Sequence, residues 1–196
     1  SFLGGAKRAK GITVIIDVFR AGNTILSCLA NGAEYVIPVG SLEDAYKLKQ
    51  DYPNNLLAGE RKSHPPEGFD FGNSPSEAST INIDGKGVIL TTSSGTQGIV
   101  NARGAEKILI GTFANISVLS KYIIKAAPTT VTLVAMGFES RLKAEEDEIY
   151  ARFLRSVLQG KRPDFSCFRM KLLESDGANR LKSINKEDDL QRCLTM

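Results

Sequence analysis

The chain has 196 residues, a formal net charge of +3, 42% hydrophobic and 24% charged residues, and no tryptophan. This length is sufficient for one domain with a hydrophobic core, and the ordinary composition excludes a disordered or fibrous chain. Lys and Arg form no tract and are not interleaved with aromatics, which argues against a nucleic-acid-binding protein. We therefore expect a globular protein with a small ligand, and the mild positive charge favours an anionic one.

The spacing of the cysteines and the length of the apolar runs indicate the cellular compartment of the protein. Cys28, Cys167 and Cys193 are widely spaced and odd in number, which favours reduced thiols in a cytoplasmic protein. With one histidine and no CxxC spacing, a zinc site is not expected. No apolar run approaches the ~20 residues of a transmembrane helix, so no membrane partner is expected. The sequence leaves the oligomeric state open, a homo-oligomer included.

Strand and helix patterns alternate along the chain. β-branched and apolar runs predict strands at 11–18, 34–39, 56–58, 88–92, 107–110 and 130–135. Helical periodicity and capping residues predict helices at 25–30, 41–49, 74–77, 95–102, 114–126, 143–158, 165–173 and 186–190. This order predicts an α/β fold with a mostly parallel central sheet and flanking helices, in one lobe or two. We treat residues 1–196 as a single domain with a weak seam near Gly111.

A long polar loop, residues 59–75, separates the third predicted strand from a short helix. Ser74 is the expected N-cap of that helix, with Pro75 at its first position and Glu77 three residues after the cap. Loops of this length inside a compact domain are usually functional or disordered, and two phenylalanines among its polar groups argue against disorder. We interpret the loop as the floor of an active site that binds a metal and an anion; the alternative is a surface connection.

Polar side chains cluster where predicted strands end and helices begin. They are Asp17, Arg20, Asn23 and Thr24 after the first strand, Glu60 and Arg61 after the third, Thr91 to Ser94 and Thr96 after the fourth, and Thr112 and Asn115 after the fifth. In open α/β sheets, ligands bind at the carboxyl ends of the strands, so these side chains predict one crevice. Helix N-termini at the same edge favour a phosphate or sulfonate there.

Each of these groups also has a structural interpretation. Asp17 either binds Mg²⁺ or caps the following helix, and Arg20 either holds an oxyanion or lies on the surface. The segment 91–96 is either a phosphate-binding turn or a Ser/Thr-rich cap, and it is not a Walker A loop. The acids 145–148 either complement a helix dipole or hold a hard cation. His64 either shuttles a proton or is an exposed loop residue.

Six segments carry a recognisable order and spacing: DVFRAGNT at 17–24, GER at 59–61, GFDFGNSP at 68–75, TTSSGT at 91–96, GTFAN at 111–115, and Glu146-Asp147. In this order they resemble the 2-phosphosulfolactate phosphatase family, over about residues 12–147, with weaker similarity at Leu181 and at Asp189-Leu190. The third segment is specific, whereas TTSSGT and the Glu-Asp pair are weak alone. The chain departs from the family pattern at Lys62-Ser63, where Gly-Gly is usual, and at Ser94, where Asn is usual.

The resemblance implies a Mg²⁺-dependent phosphatase of coenzyme M biosynthesis, which hydrolyses 2-phospho-3-sulfolactate to 3-sulfolactate and phosphate. Because hard cations prefer carboxylate oxygens, we expect Mg²⁺ to be bound by Asp17, Glu60, Asp70 and Asp147. The predicted catalytic residues are Asp17, Arg20, Glu60 and Arg61. The predicted substrate-binding residues are Asn73, Ser74, Thr92, Ser94, Gly95, Thr96 and Asn115.

Two points stay open at this stage. Water is the expected nucleophile, because Phe19 stands where aspartyl nucleophiles usually have a second acid, and attack by Asp17 itself is the competing route. Because the departures at Lys62, Ser63 and Ser94 border the expected pocket, another small phosphoester is an alternative substrate. A non-catalytic module that binds small anions is a further alternative.

Overall fold

A computed structural model describes all residues, 1–196, and contains six parallel strands. The strands are β1 (Gly11–Ile16), β2 (Tyr35–Pro38), β3 (Leu56–Gly59), β4 (Gly87–Thr91), β5 (Ala105–Gly111) and β6 (Val131–Ala135). They form two three-stranded sheets, the first in the order β5-β1-β6 and the second in the order β2-β4-β3. The α/β class and the parallel pairing are confirmed. The strands form two separate sheets and not one central sheet, which corresponds to the predicted alternative of two lobes.

Ten α-helices flank the sheets. They are α1 (Phe2–Lys7), α2 (Ala21–Ala30), α3 (Leu42–Asp51), α4 (Pro75–Ala78), α5 (Gly95–Asn101), α6 (Ile116–Ala126), α7 (Glu145–Leu158), α8 (Ser166–Glu174), α9 (Asp176–Ser183) and α10 (Glu187–Cys193). A 3-10 turn, Phe113–Asn115, precedes α6. None of these helices has the length and apolarity needed to cross a membrane.

Two of the helices, α1 and α9, were not predicted. α1 contains two glycines in its interior, where glycine costs about 1 kcal/mol relative to alanine, and α9 contains one in its first turn. Tertiary packing compensates for this poor propensity, since α1 contacts α5 and β6, and α9 contacts α7, α8 and α10. The predicted N-caps Ser41 and Ser74 are confirmed, because each side chain accepts a hydrogen bond from the backbone N–H three residues later.

The central strand of each sheet is completely buried. Every residue of β1 and of β4 is buried, as near-continuous apolar runs predict for strands covered on both faces. The largest cluster of buried apolar side chains joins β1 to helices α6 to α10. A second cluster joins β3 and β4 to α2 and α4. The C-terminal helices therefore belong to the core of the first sheet.

The registers bring strand ends level with one another. Ile16 pairs with Gly111 on one side and with Ala135 on the other, and Gly59 pairs with Thr91 in the second sheet. Residues that directly follow these strands thus lie at the carboxyl edges of the two sheets. The predicted seam near Gly111 stays a prediction.

Burial predicts different reactivities for the three thiols. Cys28 and Cys193 are buried, whereas Cys167 is exposed. Burial raises the pKa of Cys28 to about 12 and that of Cys193 well above its usual value, so their reactive thiolates are scarce at pH 8. We expect a chromogenic disulfide reagent to modify one thiol per native chain rapidly and all three after denaturation. In a Cys167→Ser control, rapid labelling of any thiol in the native state would contradict the structure.

Candidate active site

One cavity lies at the carboxyl ends of β1, β3, β4 and β6. Among its 19 lining residues, Asp17 follows β1, Glu60 follows β3, Ser93 and Ser94 follow β4, and Gly137 follows β6. The lining contains five acids and three bases: Asp17, Arg20, Glu60, Lys62, Glu139, Glu146, Asp147 and Arg180. A cavity with both signs of charge suits a small anionic ligand together with a cation.

Asp147, in the first turn of α7, ties together the ends of β1 and β6. Its Oδ1 accepts a hydrogen bond of 2.9 Å from the N–H of Val18, and its Oδ2 accepts one of 2.8 Å from the N–H of Gly137. The carboxylate is buried, and such charge-assisted bonds are stronger than neutral ones. Asp147 therefore has a structural role in the first sheet and also lines the cavity.

Glu60 has the corresponding role in the second sheet. Its Oε1 accepts a hydrogen bond of 2.8 Å from the N–H of Ser93, and its Oε2 accepts one of 3.0 Å from the N–H of Ser63. Lys62 and Ser63 adopt left-handed backbone conformations, with φ of +51° and +68°. Such conformations cost residues other than glycine of order 1–3 kcal/mol and are concentrated at binding sites. The turn places Lys62 and Ser63 in the cavity lining.

Asp17 contacts the start of a helix and also lines the cavity, whereas its expected binding of Mg²⁺ stays a prediction. Its Oδ1 accepts a hydrogen bond of 3.3 Å from the N–H of Ala21 at the start of α2, so it caps that helix. It also lines the cavity. Burial, with a smaller contribution from the nearby carboxylates of Glu60 and Glu146, raises the pKa of Asp17 to about 6. The capping bonds thus only partly compensate for the loss of solvent.

The cluster of acids is electrostatically unfavourable by itself. Burial raises the pKa of Glu146 and that of Asp147, and the charge of Asp17 adds to the effect on Asp147. No group of three acid, His or Cys side chains is arranged to enclose a metal ion. Mg²⁺, however, is usually bound by one or two carboxylates plus water and phosphate oxygens. The donors Asp17, Glu146 and Asp147 fit this open mode of binding.

Arg20 is held by a carboxylate from the far end of the chain. Its Nη1 donates a hydrogen bond of 2.7 Å to Oδ2 of Asp189 in α10, and both side chains are buried. Oδ1 of Asp189 accepts hydrogen bonds from the Ser74 hydroxyl at 2.8 Å and from the Ser76 N–H at 2.9 Å. Although burial opposes the change, the bonds from Ser76, Arg20 and Ser74 lower the pKa of Asp189. A charged Asp189 therefore positions Arg20 in the cavity wall.

The structure brings together about half of the predicted site residues. Those that line the cavity are Asp17, Arg20, Glu60, Asn73, Ser94 and Asp147. Those that do not line it are Arg61, Asp70, Ser74, Thr92, Gly95, Thr96 and Asn115.

Arg61 and Asp70 have structural contacts instead. The guanidinium of Arg61 donates to Oγ1 of Thr91 at 2.8 Å and to the carbonyl of Glu60 at 2.7 Å, which links the ends of β3 and β4. Asp70 is exposed, and its Oδ2 accepts a hydrogen bond of 2.7 Å from the N–H of Leu57. Neither residue lines the cavity with the acids, so the expected metal-binding role of Asp70 and catalytic role of Arg61 stay predictions.

The threonines and Asn115 form caps, and their expected role in substrate binding stays a prediction. The N–H of Thr92 donates to Oγ1 of Thr96 at 2.8 Å, and the N–H of Thr96 donates to Oγ1 of Thr92 at 3.2 Å. Oδ1 of Asn115 accepts a hydrogen bond of 3.1 Å from the N–H of Thr112. Ser74 binds Asp189 and caps α4. These side chains satisfy helix-terminal groups, so the capping alternative applies to them.

Gly95 lies outside the cavity lining, and His64 corresponds to the alternative of an exposed loop residue. A Cβ atom on Gly95 would lie 2.8 Å from Oδ2 of Asp17, so this glycine lets the backbone approach the carboxylate and does not face the ligand space. His64 is exposed, and its Nδ1 lies 2.9 Å from the carbonyl oxygen of Lys62. The imidazole lies outside the acid-lined cavity.

Four charged groups of this region were not among the predicted site residues. Glu146 adjoins the predicted Asp147 in the first turn of α7, and its acid-rich context was the available signal. Lys62 was noted only as a departure from the family pattern. Arg180 and Asp189 lie in α9 and α10. The sequence offered no signal for Arg180, and for Asp189 it offered only the weak family similarity at Asp189-Leu190.

Comparison with known proteins agrees with the resemblance in the motifs. The sequence profile of the 2-phosphosulpholactate phosphatase family matches residues 4–196. A protein of Caldanaerobacter subterraneus subsp. tengcongensis, named probable 2-phosphosulfolactate phosphatase, is 33% identical over 201 residues, covering 93% of this chain and 83% of that protein. A protein of Thermotoga petrophila with the same name is 34% identical over 194 residues, with the same two coverages of 93% and 83%.

The close approach at Gly95 yields a stability prediction. A methyl group there would lie 2.5 Å from Cβ of Ala21 and 2.8 Å from Oδ2 of Asp17. We expect Gly95→Ala to destabilise the protein by about 1–3 kcal/mol in urea unfolding, because the start of α5 must move away from Asp17. The matched control is Gly4→Ala in α1, where the added atom meets only the Arg8 side chain at 3.4 Å. An unchanged Gly95→Ala midpoint would contradict this packing.

The Arg20–Asp189 pair yields a second prediction. We expect Asp189→Asn to lower the free energy of unfolding by about 3 kcal/mol, because it leaves the buried guanidinium without its counter-charge. The exposed neighbour Asp188 provides the control, and Asp188→Asn should change stability little. Equal stabilities of the two variants in thermal and urea unfolding would show that the ion pair does not stabilise Arg20.

Proposed function

Since the chain belongs to the 2-phosphosulpholactate phosphatase family, which makes it a hydrolase acting on phosphoesters, we propose that it hydrolyses 2-phospho-3-sulfolactate to 3-sulfolactate and phosphate. We further propose that the reaction depends on Mg²⁺ and belongs to coenzyme M biosynthesis. The observation that supports the proposal is the meeting of Asp17, Glu146 and Asp147 with Arg20 in one cavity at the strand ends.

The acid cluster supports a divalent cation in the reaction. Three carboxyl groups with raised pKa values share a buried space, and a cation among them would offset both their desolvation and their mutual repulsion. Asp17, Glu146 and Asp147 would hold Mg²⁺. The cation would neutralise negative charge on the phosphoryl oxygens during transfer.

The remaining polar groups support binding of the phosphoryl group. Arg20 is fixed at one nitrogen by Asp189, and its other N–H groups are available to phosphate oxygens. Asn73 is oriented because its Oδ1 accepts a hydrogen bond of 2.8 Å from the Thr24 hydroxyl. Such preorganised donors stabilise transferring charge without reorganisation. Water attacks phosphorus, the bond from phosphorus to the ester oxygen breaks, and the proton released by the water goes to that oxygen, which leaves as the alcohol of sulfolactate.

Another small phosphoester is the second candidate substrate. Lys62 places an additional cation in the cavity lining, on a strained turn that Glu60 stabilises. The positive charge of Lys62 changes the electrostatic potential that a ligand meets next to the acid cluster. A non-catalytic anion-binding module has less support, because the cavity retains both its acids and Arg20.

We expect purified protein to release phosphate from 2-phospho-3-sulfolactate in the presence of Mg²⁺ and to lose this activity with a chelator. A panel of other small phosphoesters, assayed in the same way, separates the two candidate substrates. Asp17→Asn should lower turnover by about 100-fold or more, because it removes a charged donor from the cluster. An Asp17→Asn protein with full Mg²⁺-dependent turnover would exclude this role.

Stability measurements distinguish lost function from lost structure. Without metal, Asp17→Asn should melt at a higher temperature than the unsubstituted protein, because the amide removes a buried charge whose pKa is raised. The exposed Asp51 supplies the matched control, and Asp51→Asn should alter neither activity nor melting. Absence of hydrolysis of every phosphoester, with tight binding of phosphate, would favour the non-catalytic alternative.

A further inference from the structure

Helix α9 forms one wall of the cavity. Gly177, Arg180, Leu181 and Ile184 all line it. Their spacings of three, four and seven residues place them on a single face of the helix and its C-terminal extension. This face therefore presents one cationic side chain, Arg180, among small and apolar neighbours.

The position of α9 is set by a close approach to α7. A Cβ atom on Gly177 would lie 2.1 Å from Oε1 and 2.6 Å from Cδ of Glu146. Only glycine allows this separation, so the first turn of α9 lies directly against the buried acid of α7. Arg180 follows one turn later on the same face and is thereby held beside the acid cluster.

Arg180 is oriented but not committed to a partner. Its Cζ lies 4.2 Å from the centroid of the Phe138 ring, a cation–π contact that holds the guanidinium beside the ring. Its Nη2 lies 3.7 Å from Oε1 of Glu146, which is longer than a hydrogen bond. The side chain is 39% exposed. Its N–H groups are therefore accessible to a ligand in the cavity.

The other arginines near the cavity are engaged differently. Arg20 donates a 2.7 Å hydrogen bond to Asp189, and Arg61 donates bonds of 2.7 and 2.8 Å to Glu60 and Thr91 outside the lining. Arg180 is thus the cavity arginine without a short ion pair. A small ligand with two anionic groups needs two cationic positions, and Arg180 supplies one apart from Arg20.

We propose that Arg180 binds the second anionic group of a small phosphorylated acid, a sulfonate or a carboxylate, and so determines specificity. The assignment rests on the proposed function, in which the acid cluster and Arg20 receive the phosphoryl group. The planar fork of arginine can donate two parallel N–H bonds to two oxygens of such a group. Charge-assisted hydrogen bonds of this type correspond to about 10- to 100-fold in affinity.

The test measures ligand binding by calorimetry with pairs of ligands that differ in one anionic group. 3-Sulfolactate is compared with lactate, which lacks the sulfonate, and with 2-hydroxypropanesulfonate, which lacks the carboxylate. We expect Arg180→Gln to weaken 3-sulfolactate binding about 10- to 100-fold and to leave unchanged the ligand that lacks the group bound by Arg180. The identity of that ligand shows whether the group is the sulfonate or the carboxylate.

Two further variants separate specific contacts from general charge effects. Lys182→Gln removes the same charge from an exposed position of α9, where Nζ donates to the Leu173 carbonyl, and should leave all three affinities unchanged. Arg180→Lys, which keeps the charge without the planar fork, should give an intermediate affinity for 3-sulfolactate. Circular dichroism and melting of each variant verify that the fold is retained.

The outcomes are independent of turnover. If Arg180→Gln weakens all three ligands equally, or weakens none, or if the unsubstituted protein does not prefer 3-sulfolactate, the assignment is wrong. If the preference exists and is lost in Arg180→Gln alone, the assignment holds even when no phosphoester is hydrolysed. If the preference is lost in Arg180→Gln and no phosphoester is hydrolysed, the proposed hydrolysis is wrong, whereas the assigned class of ligand is correct.

Discussion

Two carboxylates, the buried Asp147 and the half-buried Glu60, tie together the strand ends on which the cavity is built. Each accepts hydrogen bonds from two backbone N–H groups. Asp147 binds those of Val18 and Gly137, which follow β1 and β6, and Glu60 binds those of Ser63 in the loop after β3 and Ser93 after β4. A buried charge is tolerated only when such donors surround it. The same two carboxylates therefore hold the strand ends together and line the cavity, so removing either acid would also remove contacts between the strand ends.

This sharing explains the balance of charge in the cavity. The backbone donors to Asp147 lower its pKa, yet burial and the neighbouring Asp17 and Glu146 raise it by more. The protein alone thus leaves part of the electrostatic cost uncompensated. Active sites commonly carry such a cost because function requires a charge arrangement that stability does not favour. A bound cation is the natural means of relieving it.

The α/β class and the core of the site were predictable because they depend on local patterns. β-branched runs identify the buried strands, and the rule that ligands bind at strand carboxyl ends selected Asp17, Glu60 and Arg20. The same rule also selected Thr92 and Thr96, which lie outside the cavity lining, since it does not distinguish a side chain that faces the ligand from one that caps a helix. Arg61 lies outside the lining for a related reason, because its nearest acceptors belong to its own strand ends.

The contributions of α9 and α10 depend on packing between distant parts of the chain, so no window of sequence contains them. The bond from Arg20 to Asp189 spans 169 positions. During synthesis, Arg20 leaves the ribosome long before Asp189. The ion pair between them can form only after the C-terminal helices have docked on the first sheet. The strand ends can assemble earlier, but the guanidinium gains its orientation only when docking is finished. Competence of the cavity is therefore a late event in maturation, and a partly folded chain would carry its acids exposed and its arginine unaligned.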